Sequence, residues 1–120
     1  MFEQTLRSVL ANTTGAVGAL IMGLDGICVA RADGDDKAID IDVVAAEYTS
    51  LLRKSLRSTD DVSLGKLREL VVAAGRYSFL IKPITDEYFL VLVLTAPSGL
   101  GRARFELRKA QLSLEEEFSV

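Results

Sequence analysis

The sequence predicts an α+β domain in which one five-stranded, mainly antiparallel sheet carries helices on both of its faces. Two observations carry this prediction. The apolar segments follow the order α-β-β-α-β-β-β-α, with short polar turns between the strands. The segment 88–95 is apolar at both odd and even positions. A strand that is apolar on both sides must be covered on both sides, so helices are expected above and below the sheet.

The first half of the chain supplies two helices and a hairpin. Residues 1–10 place Phe2, Leu6 and Val9 at helical spacing, and residues 16–22 and 27–32 are apolar runs on either side of Asp25 and Gly26. An Asp-Gly pair between two apolar runs predicts a tight β-hairpin. The longest amphipathic helix covers residues 41–59, with Asp40 as its N-cap. We expect its sheet-facing stripe to be Val44, Tyr48, Leu51, Leu52 and Leu56.

The second half predicts three strands and a final helix. The strands cover residues 64–74, 76–84 and 88–95, and the glycine and acidic turns between them favour antiparallel pairing. The last helix has a buried stripe made of Leu100, Ala103, Leu107, Ala110, Leu114 and Phe118. No repeat or linker interrupts the pattern, so we expect a single domain over residues 1–120.

Composition and charge exclude several classes of protein. With 49% hydrophobic and 26% charged residues the chain is globular rather than disordered. Its net charge of −3 gives it no general attraction for phosphates, and no nucleic acid partner is expected. The basic stretch Arg102, Arg104, Arg108 and Lys109 is followed at once by three glutamates, which is typical of a solvated helix face.

The single cysteine and the lack of a long apolar segment bear on the compartment. Cys28 excludes an internal disulfide, which favours a reducing compartment, and its place in an apolar run predicts a buried structural thiol. No stretch of about 18 apolar residues occurs, so we expect no membrane insertion. The expected location is the cytoplasm.

The sequence offers few residues for catalysis, phosphate binding or metal binding. The chain has no histidine, which removes the commonest general base and zinc ligand. Its glycines form no phosphate-binding loop, because Leu24 stands where such a loop needs lysine. We therefore expect no catalytic residue, no cofactor and no metal site. One acidic stretch leaves a calcium loop open as an alternative to a solvated loop ending in a helix cap; its carboxylates are Asp33, Asp35, Asp36, Asp40 and Asp42.

An excess of apolar surface points instead to a second copy of the chain. The 41–59 helix carries small residues outside its main stripe, and small residues allow two helices to approach closely. If residues 67–74 form an edge strand, its unpaired backbone invites pairing with another chain. A twofold dimer would satisfy both features; the alternative is that these residues fill a monomer core. The predicted dimer interface consists of Ala45, Ala46, Thr49, Leu52, Leu67, Glu69, Val71 and Ala73.

The hairpin and the order of elements resemble the roadblock/dynein light chain family, whose fold is also similar to profilin and longin domains. The most specific part is the hairpin pattern formed by Gly15, Gly18, Asp25 and Gly26, and the resemblance covers essentially the whole chain. It implies a homodimer, or a heterodimer with a paralogous roadblock protein, joined through the third strand and the second helix.

The resemblance to the bacterial MglB-type members further implies a Ras-like small GTPase as partner, whose GTP hydrolysis or localisation the dimer would modulate. The residues implied for the GTPase contact are exposed positions of the second helix, namely Glu47, Ser50, Arg53, Lys54 and Arg57. The chain itself would be a non-catalytic binding domain. Two alternatives stay open: a structural scaffold without effect on GTP turnover, and a small-molecule sensor, which the lack of convergent polar residues disfavours.

Overall fold

A computed structural model describes residues 2–36, 38–96 and 98–119 and contains the eight elements in the predicted order. The helices are α1 (Phe2–Asn12), α2 (Ile41–Asp61) and α3 (Leu100–Phe118), and the strands are β1 (Ala16–Gly23), β2 (Cys28–Asp33), β3 (Leu70–Ala73), β4 (Tyr77–Pro83) and β5 (Tyr88–Thr95). Within the described ranges, no helix combines the length and the apolar composition needed to cross a bilayer.

The five strands form one sheet in the order β2-β1-β5-β4-β3, and every neighbouring pair is antiparallel. β5 lies at the centre of the sheet. β3 lies at one edge and, among the described residues, pairs only with β4, where Val71 stands opposite Leu80. The predicted fold class is confirmed, and the edge position of β3 leaves one side of its backbone without a strand partner.

Helices cover both faces of the sheet. α1 and α3 share one face, where Leu6 and Leu107 pack against alternate residues of β1 and β5 such as Leu92. α2 covers the other face alone and packs on the intervening residues, including Phe89 and Val91. The buried stripe predicted for α3 is confirmed from Ala103 to Leu114, four residues of which are buried: Ala103, Leu107, Ala110 and Leu114.

The β1–β2 turn folds as the sequence predicts. Gly26 has a φ of +90°, and the Asp25 carboxylate accepts a hydrogen bond from the Ile27 amide at 3.0 Å. The positive φ is available to glycine at little cost, and the aspartate side chain satisfies the turn's amide. Met22 stands opposite Cys28 beside the turn, and a shift in register between Ile21 and Met22 then places Gly18 opposite Asp33.

Two predictions about strands are wrong. The third strand begins at Leu70 and not at residue 64, because Ser63 and Gly65 have φ values of +59° and +96°, which extended backbone excludes. Cys28 is exposed rather than buried, because it begins an edge strand directly after the β1–β2 turn. Its thiol donates to the Ala30 carbonyl at 3.4 Å, and partial desolvation raises the pKa of Cys28.

Candidate functional site: the outer surface of α2 and the edge of β3

The orientation of α2 follows from contacts on its two flanks. On one flank, Asp42 forms an ion pair with Arg31 of β2, and Arg53 donates a hydrogen bond to the Leu24 carbonyl in the β1–β2 turn. On the opposite flank, Tyr48 packs edge-on against Phe79 of β4, with ring centroids 4.1 Å apart. One flank of α2 therefore faces the β2 edge of the sheet, and the other faces the β3 edge.

The small-residue side of α2, predicted to join a second helix, packs on this chain's own sheet. Ala45, Thr49 and Leu52 are 3%, 2% and 0% exposed, so they have no surface left for another chain. Thr49 is compatible with this burial because its hydroxyl donates to the Ala45 carbonyl at 2.6 Å. These three residues belong to the core, and their assignment to a dimer interface is wrong.

Ala46 is exposed but lies on the flank that faces β2. It is seven residues before Arg53, hence on the same side of the helix, and Arg53 contacts the β1–β2 turn. The flank toward β3 carries Val44, Tyr48 and Leu51 instead. Leu51 was expected to face the sheet, yet it is 38% exposed. The predicted interface thus combined residues from opposite sides of α2.

Four predicted interface residues lie on or just before β3. Val71 and Ala73 are in the strand, as predicted, with Val71 half-buried and Ala73 exposed. Leu67 and Glu69 precede the strand and are half-buried. The Glu69 carboxylate is engaged by Arg104 of α3, whose Nε lies 3.1 Å from both carboxylate oxygens. Glu69 therefore ties the start of β3 to α3.

The residues implied for a GTPase contact do share one surface. All five are exposed and follow the outer side of α2; we call them the charged ridge, and its members are Glu47, Ser50, Arg53, Lys54 and Arg57. Arg53 is the one held by a contact with the chain's own backbone, at the Leu24 carbonyl. Arg57 lies beside a cavity at the C-terminal end of the helix.

Most carboxylates of the acidic loop before α2 form ion pairs or hydrogen bonds with other groups of the protein. Asp33 and Asp42 both pair with Arg31, and these two carboxylates raise the pKa of that guanidinium. Asp40 accepts from the Asp42 and Val43 amides and caps α2, as predicted. Over the described part of the chain, no three acidic or cysteine side chains come together as metal ligands. The geometry matches the solvated loop with a helix cap.

Asp36 and Tyr77 connect this loop to β4, and they predict a pH dependence. The Asp36 carboxylate accepts from the Ala38 amide at 2.8 Å and from the Tyr77 hydroxyl at 2.9 Å, and both bonds lower the pKa of Asp36. The same bond raises the pKa of Tyr77. The contribution of the Asp36–Tyr77 hydrogen bond to stability is therefore present at neutral pH. It is lost as pH falls through the lowered pKa of Asp36, or rises through the raised pKa of Tyr77.

Tyr77→Phe is expected to lower the melting temperature slightly at pH 7 and to raise the pKa of Asp36, which the Ala38 amide still keeps below its ordinary value. Carboxyl NMR titration of Asp36 measures the pKa directly. Tyr88→Phe is the control, since the described residues show no hydrogen bond from the Tyr88 hydroxyl. An unchanged pKa of Asp36 in Tyr77→Phe would show that the bond does not form in solution.

The basic stretch of α3 is not a uniform solvated face. Arg102 and Lys109 both pair with Glu106, whose side chain is 2% exposed, and Arg104 pairs with Glu69. Arg108 lines a cavity of about 540 Å³ beside the C-terminal half of α2. The sequence interpretation missed this cavity, because its residues come from five separate segments of the chain.

The whole arrangement is that of a known family. The family model of the roadblock/LC7 domain matches residues 2–94. The structure of a roadblock/LC7 domain from Streptomyces avermitilis superposes with a TM-score of 0.86 at 13% identity, covering 98% of both chains. MglC from Myxococcus xanthus gives a TM-score of 0.71 at 28% identity, covering 97% of this chain and 98% of that one.

A structure described as MglB with a tetrameric arrangement gives a TM-score of 0.85 at 20% identity, covering 96% of this chain and 85% of the other. Among curated proteins, none matches the sequence significantly. The family model spans well over half of the chain, so this chain belongs to the roadblock/LC7 domain family.

Proposed function

We propose that this chain is a dimeric regulator that binds a Ras-like small GTPase and modulates its GTP hydrolysis or its localisation. The observation that carries the proposal is the charged ridge. In this roadblock domain, four charged side chains of both signs and one serine follow the outer side of the helix that covers a whole face of the sheet. Exposed charges of both signs favour recognition of a protein surface by complementary charge.

The dimer would form at the β3 edge. β3 offers unpaired backbone groups, and its apolar residues Leu70, Val71 and Val72 are only half-buried. Beside it, α2 presents the exposed Leu51 on the same flank as Tyr48. Pairing β3 with β3 of a second copy would extend the sheet and cover this apolar surface. The tetrameric arrangement described for one MglB structure supports assembly of chains with this fold.

The proposed action on the GTPase is positioning rather than insertion of an arginine. Arg53 is bonded to the Leu24 carbonyl, so reaching a γ-phosphate would require that bond to break. Lys54 and Arg57 are exposed and available for contact. Holding the GTPase's own residues in place requires only that the partner dock on the charged ridge.

The proposal can be tested by measuring GTP hydrolysis by a Ras-like GTPase of the same organism whose gene lies near the gene for this protein. Saturating amounts of the protein should raise the single-turnover hydrolysis rate severalfold. Lys54→Glu should weaken binding about tenfold or more, because it turns an attractive contact into a repulsive one. Arg7→Glu on α1 is the matched control, with the same charge change outside the ridge, and should leave binding within about twofold.

The outcomes separate the alternatives. Binding that depends on Lys54 without any change in hydrolysis indicates the scaffold, which recruits the GTPase without regulating turnover. The absence of binding at micromolar concentrations of both proteins contradicts the proposal. Equal losses in Lys54→Glu and Arg7→Glu would show that the ridge is not the contact surface.

A further inference from the structure

The strongest unexplained feature is the cavity of about 540 Å³ at the end of the sheet. It lies between the C-terminal half of α2, residues 65–68, the β4–β5 turn and the C-terminal half of α3. Its volume falls within the roughly 300–1,000 Å³ of ordinary ligand pockets. α3 is fixed to the end of β4 by Gln111, whose side-chain amide donates to the Pro83 carbonyl at 2.9 Å. The cavity therefore has walls held by defined contacts.

Its floor is apolar and belongs to the core. Leu52, Ile84 and Phe89 are 0%, 6% and 1% exposed and form the base, and the half-buried Leu56 and Leu67 continue it toward the opening. An apolar base beneath an open mouth favours a ligand that inserts a large apolar side chain, because such insertion removes apolar surface from water on both partners.

Its rim has a charge opposite to that of the protein. Five of the fourteen lysines and arginines line the cavity, against three carboxylates, which gives a local balance of +2 in a chain of net charge −3. The five cations are Arg57, Lys66, Arg68, Lys82 and Arg108, and the carboxylates are Asp60, Asp86 and Glu115. Among the described residues, none of the five cations has a carboxylate within ion-pairing distance.

Converging cations at the mouth of a cavity with apolar walls concentrate their field and attract anions. A free phosphate would use the rim and leave the apolar floor wet. A neutral apolar molecule would use the floor and ignore the rim. A short protein segment with carboxylates around one large apolar side chain uses both parts of the site.

We propose that this cavity binds an acidic peptide segment of a partner protein, with one leucine or phenylalanine side chain on the apolar floor and flanking carboxylates on the cationic rim. The site is separate from the charged ridge apart from Arg57, which lies at their border. The inference therefore stands whether or not the ridge binds a GTPase.

Fluorescence polarisation with a labelled peptide tests this directly. The probe is a short peptide with one phenylalanine flanked by glutamates. It should bind the full-length protein at micromolar concentrations and release as sodium chloride is raised. A peptide with lysines in place of the glutamates should not bind. Replacing the phenylalanine by serine should weaken binding at least fivefold.

Charge reversals locate the binding site on the protein. Lys66→Glu and Arg108→Glu should each raise the dissociation constant about tenfold or more, and neither residue belongs to the charged ridge. Arg7→Glu, an equal change on α1 away from the cavity, should alter it less than twofold. Circular dichroism of each variant confirms that the fold is intact.

Four results would overturn the proposal. The first is equal affinity for the glutamate and lysine peptides, and the second is an equal loss of affinity in Arg7→Glu and in the cavity variants. The third is full affinity for the serine peptide together with competition by millimolar inorganic phosphate. The fourth is dissociation of a dimer by Lys66→Glu in sedimentation. The third result indicates an anion site only, and the fourth indicates that a second copy covers the cavity.

Discussion

Gly15→Ala is expected to destabilise the fold by about 2–5 kcal/mol, a large share of the roughly 5–15 kcal/mol that stabilises a domain. Gly15 joins α1 to β1 with a φ of +83°, a conformation that costs an alanine about 1–2 kcal/mol. A Cβ placed there would lie 1.8 Å from Ser98 Oγ and 2.8 Å from Ser98 Cβ. Relieving this overlap must move the connection between β5 and α3.

That connection has little room to adjust. The Ser98 and Thr95 hydroxyls bond to each other at 2.9 Å, and the Thr95 amide donates to the Gly15 carbonyl at 2.9 Å. An added methyl group at position 15 therefore disturbs both the strand end and the helix start. The cost of the overlap adds about 1–3 kcal/mol to the backbone penalty.

Thermal and urea denaturation measure this effect, with Gly26→Ala as the matched control. Gly26 has a similar φ of +90°, but a Cβ there meets no atom within 4 Å. The control should lose only about 1–2 kcal/mol, so the difference between the two variants isolates the steric contribution. Equal losses would mean that the segment around Ser98 adapts freely.

The fold could be predicted because its signals are local or follow simple geometry. Because β5 is apolar at both odd and even positions, it required helices on both faces, and Leu90 and Val91 lie buried in opposite layers. The Asp25–Gly26 turn and the Asp40 cap are short-range signals that act within a few residues. The start of β3 was misplaced, because Gly65 within the predicted strand has a φ of +96°, which extended backbone excludes, and pairing with β4 begins only at Leu70.

The rotation of α2 about its axis could not be predicted from periodicity alone. Tyr48 and Leu51 form one apolar stripe, and Ala45, Thr49 and Leu52 form another beside it. Both stripes have helical spacing, and hydrophobicity alone predicts that the stripe with the larger side chains faces the sheet. Both stripes contact the sheet, but the second one is fully buried. Its small residues let the helix lie close, and the internal hydrogen bond of Thr49 makes its burial possible.

The cavity was missed for a different reason. Its five cations are spread between positions 57 and 108, so no sequence window shows a basic cluster. Arg108 was grouped with its helical neighbours Arg102, Arg104 and Lys109, which pair with glutamates. Only the packing of α3 against the β4–β5 turn brings Arg108 to the mouth of the cavity.

The corrected orientation of α2 predicts that Leu51→Glu will dissociate the proposed dimer. Leu51 is 38% exposed on the flank next to β3, so pairing of two β3 edges would bring it into the seam. An unpaired carboxylate buried there costs about 3 kcal/mol or more, which raises the dissociation constant about 100-fold or more. Sedimentation velocity over a micromolar concentration range should show a monomer for this variant.

Ala46→Glu is the matched control, because it places the same charge on the same helix. Ala46 is exposed on the flank that faces β2, and the variant should remain a dimer. Dissociation by Ala46→Glu but not by Leu51→Glu would restore the interface predicted from the sequence. If neither variant dissociates the dimer, then α2 lies outside the seam. A wild-type monomer at micromolar concentration would remove the dimer itself and leave the charged ridge and the cavity as the proposed contact surfaces that involve α2.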